Sequence, residues 1–223
     1  MRVSVVIPLF EHAKYVGEAI ESVLAQTRPV FELVVVDDGS TDGGAEIAAA
    51  YGSSVRVVQQ PHSGIGAARN HGARLTTGDL LAFLDADDVV PLERFERQVA
   101  FLEAFPDVDG VFGAVTEFAE SGAVVGEWPV RAPRTAQIAR LPSTLLFRRS
   151  AFDRVGPYDE NLKRSEGLDW LARSDDAGIV LRPIDAVVLH RRLHDLNNGM
   201  RELASLGEYA RTLKSVLDRR RQT

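Results

Sequence analysis

Short apolar runs alternate with helical patterns through the first half of the chain, and several of these runs end on acidic residues. Residues 3–9 (VSVVIPL) are nearly continuous in apolar side chains, as expected of a parallel strand covered on both faces. Val16, Ile20, Val23 and Leu24 then recur at helical spacing. The same reading predicts strands over residues 31–36, 55–58 and 80–84, and a short Ala-rich helix entered through Thr41, Asp42, Gly43 and Gly44. It also predicts a helix over residues 65–75 despite an internal glycine, and another through LERFERQVAFLEAF with Pro91 in its first turn. Strand and helix in this rhythm build an α/β fold, a mostly parallel, doubly wound sheet with helices on both faces.

After Pro106 the rhythm changes. Residues 108–118 read as a longer strand, Glu120, Ser121 and Gly122 as a turn, and the proline-bearing stretch 126–142 as loop. Residues 143–148 and 179–189 read as strands with a helix over 169–177 between them. An amphipathic helix over 201–220 carries Leu203, Leu206, Tyr209, Leu213, Val216 and Leu217 on one side and ends in RRRQT. The expected organisation is a nucleotide-binding half over residues 1–107, a smaller acceptor-side annex over 108–199, and a C-terminal basic helix over 200–223. That helix packs on the sheet with a solvated basic end, or meets a partner or an anionic membrane surface.

A formal charge of −6 argues against a general nucleic-acid binder. The chain has no cysteine, which excludes disulfides, thiolate metal sites and cysteine nucleophiles and fits a reducing compartment. The opening MRVSVVIPLF is too short for a signal segment and reads as a strand, and no run approaches the length of a membrane span. The expected location is therefore cytoplasmic, with contact at the inner face of a membrane left open through the C-terminal helix. Gly-x-Ser-x-Gly, Gly-Lys-Ser/Thr and His-Glu-x-x-His are all missing, which removes the hydrolase, P-loop and zincin readings.

In open α/β sheets ligands sit beyond the carboxyl ends of the strands. Three polar clusters lie at such ends: Phe10-Glu11, Asp37-Asp38-Gly39-Ser40 and Asp85-Ala86-Asp87-Asp88. Asp85 and Asp87 are two apart, so in an extended segment both face one side, and two hard oxygen donors suit Mg²⁺ or Mn²⁺ shared with phosphate. Asp88 points the other way, a solvated residue or a partner for the next helix N-terminus. GIGAARN carries Arg69 where a dinucleotide fingerprint needs glycine, so Arg69 either faces a nucleotide or is a surface residue. His194, in a polar loop after the last strand, is a candidate ligand for the same metal.

Together VSVVIPLF, ELVVVDDGSTDGG, GIGAARNHGARLTTGDLLAFLDADD and YDENLKRSEGLDWLAR resemble the family 2 glycosyltransferases, inverting enzymes of the GT-A fold. The resemblance implies a nucleotide base held through Pro8, Phe10 and Glu11, where members more often carry Tyr and Asn at the last two positions. It implies Asp38 on the uracil edge, Arg69 on the nucleotide, Asp85 near ribose or sugar, Asp87 on the metal, and His194 near the metal and diphosphate. Members commonly carry a Glu-Asp pair whose Asp is the catalytic base, but SEGLDWLAR places Gly167 there. The remaining candidates are Glu166 and Asp169, and Asp169 could instead cap a helix starting at Trp170.

The implied function is transfer of a sugar from a nucleotide diphosphate, UDP first, to a hydroxyl acceptor with Mn²⁺ or Mg²⁺ as cofactor. Residues 115–149 and the C-terminal loops would meet the acceptor. Two other readings remain: a degenerate nucleotide-sugar-binding module lacking its base, and a sugar-phosphate nucleotidyltransferase. The latter would carry a Gly-rich basic loop where this chain has LFEHAKY.

Overall fold

The computed structural model describes residues 1–119, 124–125, 128–129, 135–194 and 203–221. In chain order the elements are β1 (Val3–Leu9), α1 (Ala13–Leu24), β2 (Glu32–Asp37), α2 (Gly44–Ala49), β3 (Arg56–Gln59), α3 (Ile65–Leu75), β4 (Leu80–Phe83) and α4 (Arg94–Ala104). There follow β5 (Gly110–Ala119), β6 (Val124–Val125), β7 (Trp128–Pro129), β8 (Gln137–Ile138), β9 (Leu146–Arg148), α5 (Arg149–Val155), α6 (Glu166–Asp176), β10 (Leu181–Leu193) and α7 (Leu203–Arg221).

One sheet runs β10-β5-β9-β4-β1-β2-β3. Its β3, β2, β1 and β4 neighbours are parallel, as are β5 and β10, while β9 lies antiparallel between β4 and β5. The order reverses direction between β1 and β4, so their carboxyl ends form the crevice where a ligand binds in this architecture.

Every residue of β1 is buried, which is why its run is continuous rather than alternating. Val5, Ile7 and Leu9 pack with α1 residues Val16, Ile20 and Val23 on one face, together with Phe95 and Val99 of α4. Val6, Val34, Val36, Leu81 and Phe83 pack on the other face with α3, α5 and α6. There Phe83, Phe147, Phe152, Tyr158 and Trp170 form an aromatic cluster, and the indole of Trp170 donates to Gly156 O at 2.9 Å.

The internal glycine of α3 has a packing reason. A Cβ at Gly72 would lie 2.2 Å from Val6 Cγ1 and 3.2 Å from Val36 Cγ2, so only glycine lets this helix sit against β1 and β2. Gly72→Ala should destabilise the fold by about 1–3 kcal/mol or more through overpacking. Urea unfolding checks this, and an unchanged midpoint would contradict the close approach.

Several expected boundaries move. Phe31 lies outside β2, half exposed under the guanidinium of Arg2 at 4.6 Å. Pro91 precedes α4 rather than opening it, because the carbonyls of Pro91 and Leu92 accept from Gln26 and Thr27 and hold a separate turn. The stretch read as loop contains β7 and β8, β8 pairing with β5; the expected turn at Glu120 to Gly122 falls outside the described residues. Residues 143–148 begin as a 3₁₀ turn (Pro142–Thr144) and shorten to β9, and the two-turn helix α5 has no counterpart in the expected pattern. Helix α6 starts at Glu166, so Asp169 lies inside it and caps nothing.

Helix α7 also differs from expectation. Leu213 and Leu217 are 50% and 55% exposed, whereas Thr212 and Val216 are buried. The helix docks on α6 mainly through polar groups. Glu208 accepts from the N–H groups of Arg164 and Ser165 and from the Ser165 hydroxyl, all at 2.8 Å, serving the start of α6 from a distance. Burial opposes ionisation of Glu208, but these donors bring its carboxyl below the ordinary value. Arg219 pairs with Asp169 at 3.1 Å and Arg220 with Asp176 at 2.7 Å, so two arginines of the basic end pair within the fold while their side chains stay partly exposed. Among the described residues no helix is long and apolar enough to cross a membrane.

Candidate active site

A cleft of about 800 Å³ opens at the carboxyl ends of β1, β2 and β4. Pro8, Phe10, Asp38, Arg69, Asp85, Asp87 and Glu166 all line it, so residues scattered along the chain converge as the strand-end clusters required. The segment 85–88 is a turn rather than an extended strand, closed by the Asp88 N–H on Asp85 O at 3.1 Å. That turn gives each of its three carboxylates a different neighbour.

Asp85 pairs with Arg69, its Oδ1 2.7 Å from Nη2. Arg69 is also 2.6 Å from Glu166 Oε1 through Nη1, with its side chain 3% exposed. It is therefore a buried bridge between β4 and α6 and not a surface residue. Burial opposes its charge, but Asp85 and Glu166 more than offset this and hold it protonated beyond the ordinary arginine range. Breaking such a pair from one side typically costs about 3–5 kcal/mol. Glu166 Oε2 is buried and has no hydrogen-bond partner among the described residues.

Asp87 faces His194, its Oδ2 3.0 Å from Nε2 of a fully buried imidazole. One ligand atom each from His12, Asp87 and His194 lies within 4.8 Å of the others. Sequence reasoning misses His12: it follows β1 closely, but nothing in the spacing joins it to residues so far along the chain. Burial opposes ionisation of Asp87, while the His194 hydrogen bond and the charges of His12 and His194 bring its carboxyl below the ordinary value. Two imidazoles and a carboxylate are a donor set for a divalent transition-metal ion, and the grouping fits one. Asp85 is not in this group, so the expected pair of oxygen donors is divided between an arginine and the metal-type cluster.

Asp88 is neither solvated nor a helix partner. It is buried and accepts the backbone N–H of Arg192 at 2.9 Å, tying the turn to β10. Burial, with Asp87 and Asp85 close by, pushes its carboxyl well above the usual carboxylate range.

Asp38 is buried beside the exposed Phe10 ring. Glu11 turns out of the cleft: it is the only non-glycine residue at positive φ among those described, at 54°, and its carboxylate accepts from Thr41 N at 2.7 Å. Asp169 is also absent from the cleft wall, its oxygens held by Arg173 at 2.7 Å and Arg219 at 3.1 Å. At Gly167, where the resemblance expects a carboxylate, an added Cβ would lie 2.7 Å from Pro142 Cγ.

The profile described as "Glycosyl transferase family 2" matches residues 4–147. The chain belongs to this family. Relatives include an uncharacterized glycosyltransferase of Nostoc sp., 28% identical over 232 residues and spanning 93% of this chain and 70% of its own. Glycosyltransferase AglE of Haloferax volcanii is 30% identical over 192 residues, covering 80% of this chain and 63% of its own. Among solved structures, S. aureus TarS 1–349 in complex with UDP-GlcNAc superposes with a TM-score of 0.78 at 22% identity, over 97% of this chain and 65% of that one. That likeness establishes the GT-A-type α/β fold. Membership of family 2 sets the nucleotidyltransferase reading aside.

Proposed function

We infer that this family 2 glycosyltransferase is metal-dependent and inverting, moving a sugar from UDP to a hydroxyl of an acceptor. The observation that carries the reading is that His12 and Asp87, grouped with the buried His194, line the same cleft as Glu166, whose buried Oε2 has no hydrogen-bond partner among the described residues. The UDP part is supported by the TarS relative, solved with UDP and with UDP-GlcNAc.

In this reading the base lies against Phe10 and Asp38, and the diphosphate lies toward Asp87. A divalent cation held by Asp87, His12 and His194 would supply positive charge beside the departing diphosphate, and the two imidazoles favour Mn²⁺ over Mg²⁺. Arg69 holds Glu166 by Oε1, and the buried Oε2, without a hydrogen-bond partner among the described residues, is the oxygen left to act as base. Glu166 takes the acceptor hydroxyl proton as its oxygen bonds to the anomeric carbon, and the bond from that carbon to the diphosphate breaks with its electron pair leaving on UDP. One displacement inverts the anomeric configuration. Lys163, Arg164 and Arg191 also line the cleft, and Lys163 donates to Ser63 O at 3.0 Å beside the Asp38 loop.

Acceptor-free turnover separates this enzyme from a binding module that lost its base at Gly167. Slow release of UDP from UDP-sugars, present with Mn²⁺ and stopped by a chelator, is the expected result. Tight binding with no release across a panel of UDP-sugars would overturn the catalytic reading.

A further inference from the structure

His62 lies flat on Phe10, ring centroids 4.0 Å apart and planes 27° from parallel. Its Nδ1 stands 2.9 Å from Asp38 Oδ2 and 3.1 Å from the Asp38 carbonyl oxygen. A planar heterocycle stacked on an aromatic face, with a ring N–H directed at a buried carboxylate, is what a nucleobase presents to such a site. We propose that His62 holds the place of the donor's base in the empty enzyme and must swing out before the nucleotide binds. This rests on the reading that the base lies against Phe10 and Asp38.

The surroundings divide into a fixed part and a replaceable part. Asp38 Oδ1 accepts from Gln60 Nε2 at 2.7 Å and from Ser63 N at 2.9 Å, and Oδ2 accepts from Gly64 N at 2.8 Å. These three donors fix the carboxylate without the imidazole. The His62 backbone packs closely on Gly39: its N would lie 3.1 Å from a Cβ there, and Gly39 itself takes φ +82°. Only the side chain is loose, 57% exposed against 3% for Asp38. Rotation of the imidazole therefore frees one face of Phe10 and one lone pair of Asp38, and leaves the carboxylate where it was.

The exchange is balanced at Asp38. An incoming base must return the N–H that the imidazole withdraws, as uracil does with N3–H. The cost of moving the imidazole is the same for every base, so it lowers affinity without ranking one base over another.

Calorimetric titration with UMP and CMP in the absence of metal tests this apart from the cation site. His62→Ala should bind UMP more tightly than wild type, about tenfold if the closed form is nine-tenths populated. The preference for UMP over CMP should stay as in wild type, since opening the ring costs both nucleotides the same. In wild type, the upfield-shifted imidazole proton resonance, identified by its disappearance in His62→Ala, should move downfield on adding UMP as the ring leaves Phe10. Unchanged or weaker UMP binding in His62→Ala, or a ring-current shift that persists at saturation, would overturn the proposal. Phe10→Ala serves as the control for the base site, and weaker UMP binding is expected there. UMP affinity unaffected by that change would remove the base site itself, and the proposal with it. With Phe10→Ala weakened as expected, a failure of His62→Ala to tighten binding overturns the role of His62 and leaves the base site standing.

Discussion

Asp87→Asn is expected to lower sugar transfer by on the order of 10²–10³-fold or more, the scale of removing one electrostatic stabiliser of a departing oxyanion. The amide keeps a hydrogen-bond acceptor for His194 and almost the same shape, so the melting temperature should stay near that of wild type. What the change removes is the only carboxylate of the His12, Asp87 and His194 group. Two imidazoles alone hold a divalent cation poorly beside a diphosphate that carries its own negative charge. Mn²⁺ added up to millimolar levels should recover part of the rate. Turnover equal to wild type at limiting Mn²⁺ would show that the cation, if one is used, sits elsewhere.

Glu166→Gln is expected to reduce kcat by about 10²–10⁴-fold, the usual contribution of a positioned general base, with little change in donor affinity. The amide oxygen can still accept from Arg69 Nη1, so the bridge between β4 and α6 survives in outline; the buried, unpartnered oxygen is the atom that loses its basicity. A second substitution sharpens the result. If the family's carboxylate position were simply vacant, Gly167→Asp would restore the rate in the Glu166→Gln background. The Pro142 ring stands 2.7 Å from where that Cβ must go, so no rescue is expected. Asp169→Asn should leave kcat nearly unchanged, since its carboxylate is held by Arg173 and Arg219. Rescue by Gly167→Asp, or a kcat loss in Asp169→Asn larger than in Glu166→Gln, would move the base away from Glu166.

The fold is legible in the sequence where burial is uniform or strictly periodic. Residues 3–9 match β1 because a strand buried at every position leaves a continuous apolar run, and residues 65–75 match α3 although its buried side includes Arg69 and Asn70. Helix α7 defeats pattern reading for the opposite reason: Glu208, Thr212 and Arg219 carry its docking, and a search for apolar stripes weights Leu213 and Leu217 instead. The strand-end clusters point to the crevice, since the chemistry of an α/β sheet collects at those ends. Partnerships within it are not legible. Asp88 receives the N–H of Arg192 across 104 residues of sequence, and such a pairing leaves no local trace. His12 and His62 escape notice because an isolated histidine has no spacing to report, and Asp85 parts from Asp87 because residues 85–88 turn instead of extending.

Calorimetric titration of UDP into the wild-type protein, once with Mn²⁺ and once with a chelator, tests the cation-completed donor site most directly. Saturable binding that tightens by on the order of tenfold or more with Mn²⁺, a gain of about 1.4 kcal/mol or more, is the predicted result. Equal affinity in the two titrations would contradict a cation bridging Asp87 to the diphosphate.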